Sequence, residues 1–311
     1  MPSGLGSCAG TLSSARAMIN RFVATLILLA VAAPASAASA ASVLSVESVL
    51  SPAWVERANG RREPLAAGMD LSSGEKVHTG DGGRALLRLA EGSAIKLGES
   101  ALLAVDDLAQ KQDAKGGVVS ASLDVVRGAF RFTTGLLGKS NAQRDVKVKV
   151  NVITAGIRGT DVWGKSEGER DIICLLEGRV TVAHGAAQFQ MTEPNSFYIA
   201  PRKGAAKPPS AVSVEQVREW SAETEIDPRT GAGARGGVLS VTAAFSSDER
   251  TAIAQRDKLR ESGFPAVVAR LGEGAAARYE VRIESLPDRA DADALAERLT
   301  RLGYSQARTT Q

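Results

Sequence analysis

Between Val43 and about Ala200, apolar and polar positions alternate in short runs broken by Gly, Asp and Asn, and no stretch sustains a 3.6-residue period. Alternation with period two sends successive side chains to opposite faces of a strand, so this region is predicted to be all β. The clearest part is Arg84 to Val105. There Ala85-Leu86-Leu87-Arg88-Leu89, Ala94-Ile95-Lys96-Leu97 and Leu102-Leu103-Ala104-Val105 are separated by Glu91-Gly92 and Gly98-Glu99-Ser100. Strands this short, with turns this frequent, predict a sandwich or a short β-solenoid spanning 43–200.

From 201 to 236 the chain turns to Pro208-Pro209, Asp227-Pro228 and a Gly-rich run, Gly231 to Gly237, and reads as a linker. One short helix is predicted within it, Ser213 to Glu225, where Val214, Val217 and Trp220 share a face and Trp220 can pack back onto the β region. Residues 237–311 change character again and repeat themselves at an offset of 40, with Val241, Asp248, Ala252, Leu259 and Gly263 recurring as Val281, Asp288, Ala292, Leu299 and Gly303. Each copy reads strand, helix, strand, with Gly263 and Gly303 as helix stops and Ser247 and Pro287-Asp288 as starts. Two such halves predict a ferredoxin-like β-α-β-β-α-β domain: a four-stranded sheet with both helices on one face and the other face free to bind.

With Leu259-Arg260-Glu261-Ser262-Gly263-Phe264 and Leu299-Thr300-Arg301-Leu302-Gly303-Tyr304 closing its helices, this repeat resembles the SPOR domain. That resemblance implies binding to peptidoglycan glycan strands stripped of stem peptides, through the sheet face. The strand signatures depart from the family's. Thr242-Ala243-Ala244-Phe245 stands where Gln-x-Gly-Ser-Phe is usual, and Glu280-Val281-Arg282-Ile283-Glu284-Ser285 where Arg-Val-x-x-Gly-Pro is usual. Neutral sugars are held by polar side chains and by stacking on aromatic rings. Strand alternation puts Thr242 with Ala244 on one face and Val241, Ala243 and Phe245 on the other, and sets Tyr279, Val281 and Ile283 against Glu280, Arg282 and Glu284. With the apolar set on the helices, Thr242, Glu280, Arg282 and Glu284 become the candidate glycan-binding residues.

The β region resembles a FecR-type domain on Gly74-Glu75-Lys76-Val77-His78-Thr79-Gly80, Arg127-Gly128-Ala129-Phe130-Arg131-Phe132 and above all Gly156-Ile157-Arg158-Gly159-Thr160-Asp161-Val162. Within that motif Gly156, Arg158, Gly159, Thr160 and Asp161 are the tempting site. The favoured reading is structural, with Gly159 in a backbone shape other residues resist and Arg158 paired to a nearby acid. The family's signalling role needs a membrane helix and a cytoplasmic segment, which this sequence is not predicted to supply. The expectation left is a periplasmic β domain of unassigned ligand, with a periplasmic protein partner as the competing function.

Arg21 precedes an apolar run, Phe22 to Ala33, followed by Pro34-Ala35-Ser36-Ala37, so residues 1–37 read as a secretory signal peptide cleaved after Ala37, with Ala40 as the alternative site and a retained membrane anchor as the competing reading. This run of twelve residues covers only about 18 Å of a roughly 30 Å hydrocarbon core. No later run reaches spanning length, so no transmembrane helix is expected after cleavage and the protein is expected in the periplasm. The formal charge of +3, less the two cations Arg16 and Arg21 of the leader, leaves +1. A near-neutral chain with 4% aromatics gives no case for nucleic acid. Loss of Cys8 with the leader leaves Cys174 without a disulfide partner, and its apolar surroundings, Ile172 to Leu176, mark it as a small buried hydrophobe. The only two histidines, His78 and His184, are far apart and lack metal-ligand spacing, and the adjacent carboxylates Asp106-Asp107 point two ways on a strand. No enzyme, no metal and no cofactor are predicted.

Overall fold

The computed structural model describes residues 42–113, 116–135 and 144–310. The predicted signal peptide, 1–37, lies outside the described residues. The protein is mostly β, with a large N-terminal sheet system and a small C-terminal region of sheet and helix.

Two mostly antiparallel sheets share the N-terminal region. One runs in spatial order Leu44–Leu50, Arg84–Leu89, Ala94–Leu97, the second half of Gly116–Thr133, Asp161–Ser166, Arg170–Glu177, Ser196–Pro201. The other runs Arg62–Pro64, Ala53–Glu56, Lys76–Thr79, Leu102–Asp113, the first half of Gly116–Thr133, Arg144–Val150, Ile153–Ile157, Val180–His184, Ala187–Met191. The 18-residue strand Gly116–Thr133 belongs to both and turns at Gly128 (φ 85°), where a Cβ would fall 2.6 Å from the Ala101 Cα. Alternate residues of both sheets, among them Leu44, Leu87, Leu103, Phe132, Val148 and Val182, meet in one continuous core. That burial is what the period-two pattern encodes.

A second, smaller core lies on the opposite face of the first sheet. Trp163, Ile172 and Cys174 point there and are covered by Val217 and Trp220 of the helix Val214–Ala222. Arg170–Glu177 is consequently buried on both faces, and burial pushes the Cys174 thiol up to about 12, so it stays protonated and inert. Ser213 caps this helix by accepting from the Gln216 N–H, and the Trp163 and Trp220 rings stack at 4.8 Å and 1°.

The segment read as a linker, 201–236, is anchored at Arg202 and again from Ser210 onward. Ser210–Ala211 pairs with Ser196–Phe197, the helix follows, and Gly233–Ala234 adds to the outer edge of Leu44–Leu50. The Gly and Pro content that suggested mobility here supplies close approach, since a Cβ on Gly231 would fall 2.9 Å from the Leu295 backbone N.

In the C-terminal region the strands Leu239–Ser246, Ala266–Leu271, Arg278–Leu286 and Arg308–Thr310 form an antiparallel sheet in the order second, third, first, fourth. The helices Glu249–Glu261 and Arg289–Arg301 start at capping Asp248 and Asp288. Each ends in a left-handed glycine, Gly263 (φ 82°) and Gly303 (φ 96°), with Phe264 N–H donating to Leu259 O and Tyr304 N–H to Leu299 O, both at 3.0 Å. These equivalent closures are the sequence repeat in physical form.

This region is docked on the β sheets within one compact unit, Ala41–Gln311. Gly263 lies against the Trp54 ring, the Ala53 N–H donates to Gly263 O at 3.2 Å, Arg298 donates to Ser51 O at 2.5 Å, and Asp291 accepts from the N–H groups of Thr230 and Gly231 at 3.0 Å each.

His78 faces Glu56 at 3.4 Å on the neighbouring strand, yet burial first, and the Arg62 charge second, pull its pKa below 6.5. A base with a depressed folded pKa gives stability that is complete above its unfolded pKa and lost as pH falls through the folded value. Thermal unfolding followed from about pH 7 to 5 should therefore show a stability loss that His78→Gln flattens. An unchanged slope in the variant would remove His78 as its source.

Candidate functional site

The outer face of the C-terminal sheet, away from its helices, gathers the four residues picked out by alternation. Thr242 pairs laterally with Arg282, the Thr242 hydroxyl donates to the Glu280 carboxylate, and Arg282 reaches Glu280 at 3.9 Å and Glu284 at 2.6 Å. They do not present themselves equally. Thr242 is fully buried and Glu280 is 6% exposed, whereas Arg282 is half-buried and Glu284 exposed. Thr242 and Glu280 therefore form the floor of the face, and Arg282 and Glu284 are the groups a ligand meets.

Strict alternation fails in two places, the first between Leu239 and Val241, where Ser285 (φ 69°) on the facing strand is the extra residue. In the second, the pairing of Leu239–Ser246 with Arg278–Leu286 shifts between Thr242 and Ala244, so Ala243 is bulged. The extra residue reverses the facing of all that follows. Ala244, expected beside Thr242, joins the helix-side core, and Phe245, expected on the helices, lies opposite Glu280 with the Arg308 guanidinium 4.6 Å from its ring centroid. The last strand adds Arg308 opposite Thr242, and Thr310, whose hydroxyl lies 3.1 Å from that of Thr242. Sequence reasoning missed Phe245, Arg308 and Thr310, and the small pair Ala243-Ala244 was the only local hint of a bulge. The face thus has an aromatic ring with the Arg308 guanidinium over it, Arg282 nearby on the facing strand, and hydrogen-bonding hydroxyl and carboxylate groups beneath.

The motif Gly156 to Asp161 is built differently. Gly156 lies within Ile153–Ile157, Gly159 (φ 70°) makes the turn, and Thr160 is 2% exposed, its N–H donating to the Thr134 hydroxyl at 3.0 Å. A Cβ on Gly178 would fall 2.2 Å from Gly159 O, so two glycine turns interlock. Asp161 accepts from Arg131 Nε at 2.9 Å and Nη2 at 2.7 Å, and Arg131 Nη1 continues to Glu225, which also takes Lys96 at 2.6 Å. The Asp161 contact, before the cost of burial, lifts the Arg131 pKa. Arg158, expected to pair with an acid, is instead exposed, and Arg131 is the guanidinium that makes the pair. The motif fastens three strands to the segment that follows the Val214–Ala222 helix.

Arg131→Met should cost roughly 2–3 kcal/mol, because it leaves Asp161 and Glu225 in a partly desolvated site without their cation. Urea unfolding checks this, and a loss below about 0.5 kcal/mol would mean the network is no more than a surface ion pair. Among the described residues no group of three or more His, Cys, Asp or Glu is placed to hold a metal ion.

With this geometry in place, comparison with known proteins gives two family matches in chain order. The family model described as "FecR protein" matches residues 75–188, and that of the SPOR domain matches residues 236–309. Two solved structures, at 1.65 and 2.50 Å, described as a "putative anti-sigma factor" from Parabacteroides distasonis ATCC 8503, are each 13% identical to this chain. The first covers 65% of this chain and 96% of its own with a TM-score of 0.38, the second 72% and 90% with 0.37. No curated protein matches the chain.

Proposed function

We propose that this is an exported, non-catalytic protein of the bacterial cell envelope that binds peptidoglycan glycan strands through its C-terminal SPOR region and thereby holds its FecR-type β region at the wall. The observation that carries this reading is the SPOR match over 236–309 together with an outer sheet face bearing Phe245, Arg282 and Arg308. Hexose rings offer an apolar face to an aromatic plane and hydroxyls to polar neighbours, which is the pairing such a face provides. The strand order, read as fourth, first, third, second, supports the ferredoxin-like arrangement for this region, with 43–200 as the other domain. Among the described residues no helix is long and apolar enough to cross a membrane, which accords with a periplasmic, wall-associated protein once residues 1–37 are removed.

Sedimentation of the full chain with purified sacculi tests the proposal. Retention on sacculi without release of muropeptides is expected. A chain that stays in the supernatant would shift the function to protein recognition by the β region, and released muropeptides would make it a hydrolase.

A further inference from the structure

The C-terminal ends of the helices Glu249–Glu261 and Arg289–Arg301 face the Ser51-Pro52 corner of the β region across a cleft of about 400 Å³. Its charge is one-sided. Lys258, Arg298 and Arg301 line it, against the single carboxylate of Asp81. Arg298 donates to two backbone carbonyls, Ser51 O at 2.5 Å and Thr230 O at 3.5 Å, and among the described residues neither it nor Lys258 has a carboxylate within ion-pair distance. Arg301 has only Glu297, 3.8 Å away and exposed.

Cations in the last turn of a helix complement its dipole, and that accounts for Lys258 and Arg301. It does not account for a guanidinium drawn into a cleft beside a second guanidinium. Burial first, and Arg301 second, lower the Arg298 pKa, and since arginine does not deprotonate in proteins the cleft keeps a net positive charge. An oxyanion is the chemistry that offsets it. The remaining walls, including Pro52, Phe264 and Leu302, are apolar, which suits a charge carried on a compact organic body better than a free, fully hydrated ion. Pockets of this size take small molecules.

We infer that this cleft, where the C-terminal region docks on the β region, is a binding site for a small organic carboxylate. Lys258 and Arg301 bind it directly, and Arg298, already engaged with Ser51 and Thr230, supplies the fixed positive field. A ligand here touches both regions, so it tightens their docking. The site is distinct from the outer sheet face. Only the choice of an acidic amino sugar as probe rests on the peptidoglycan reading.

Calorimetric titration of the full chain with N-acetylmuramic acid, N-acetylglucosamine and inorganic phosphate tests it. Saturable binding of N-acetylmuramic acid is expected, with N-acetylglucosamine silent because it lacks the carboxylate. Arg301→Gln and Lys258→Gln, which leave the Arg298 clamp in place, should each weaken it about tenfold, the usual scale of a charge-assisted hydrogen bond. Equal binding of both sugars, binding of phosphate alone, no binding of any, or indifference to both substitutions would overturn the inference. Sacculus retention, measured on the same variants, is expected to stay intact, so failure at the cleft is told apart from failure of the peptidoglycan reading.

Discussion

Replacing Trp163 with alanine is expected to lower the unfolding free energy by roughly 3–5 kcal/mol, the range for deleting a large buried aromatic side chain, and to release the Val214–Ala222 helix. Trp163 is fully buried although it lies on the face of the first sheet opposite the main core. Its ring is sandwiched between the sheet and Trp220, which in turn meets Phe197 edge-on at 5.9 Å. Without the ring, Trp220 loses its stacking surface, and Ile172, Cys174 and Phe197 alone are left to hold the apolar face of the helix. That helix is only nine residues long and would not persist in isolation. Urea unfolding gives the free energy and the accessibility of Cys174 to a thiol reagent gives the local effect. A loss below about 1 kcal/mol, with Cys174 still protected, would mean that the smaller core is held instead by the ion pairs of Glu225 with Arg131 and Lys96 and of Glu223 with Lys165, the last at 3.0 Å.

The second large effect is functional. Phe245→Ala combined with Arg282→Ala should reduce sacculus retention at least tenfold, on the order of 1.4 kcal/mol or more, with little change in unfolding temperature. Both side chains are partly exposed on the outer sheet face, and their strand partners remain. Thr242→Val is expected to behave differently, because its hydroxyl is buried against Glu280 and Thr310. Removing it leaves a 6%-exposed carboxylate short of a donor and acts mainly on stability. Undiminished retention by the double variant would take the binding surface off this face.

The alternation of Arg84 to Val105, the helix starts and stops and the 40-residue repeat were legible because each is a local rule written over a few residues. What was not legible depends on contacts between distant segments. The alternating run from Leu123 to Phe132 gives no sign that one strand serves two sheets, since the need for a bend at Gly128 comes from Ala101. The bulge at Ala243 swaps Ala244 and Phe245 between faces, and a single extra residue leaves no mark on composition. Asp161 was singled out with Arg158 as its neighbour in sequence, whereas its partner Arg131 is 30 residues away and Glu225 a further 94 residues from Arg131. The segment at 201–236 looked like a linker because Gly and Pro mark both loose chain and tight packing. Contacts such as the stacked Trp163 and Trp220 and the pairing of Gly233–Ala234 with the first strand separate the two.

The most direct test of the central claim is the affinity of the full chain for sacculi before and after an amidase strips the stem peptides. Binding that rises with the exposure of bare glycan, and that Phe245→Ala with Arg282→Ala abolishes while Arg301→Gln does not, is the predicted result and assigns the outer sheet face to glycan recognition. Absence of binding to both forms, from a chain whose unfolding is cooperative, would contradict the account.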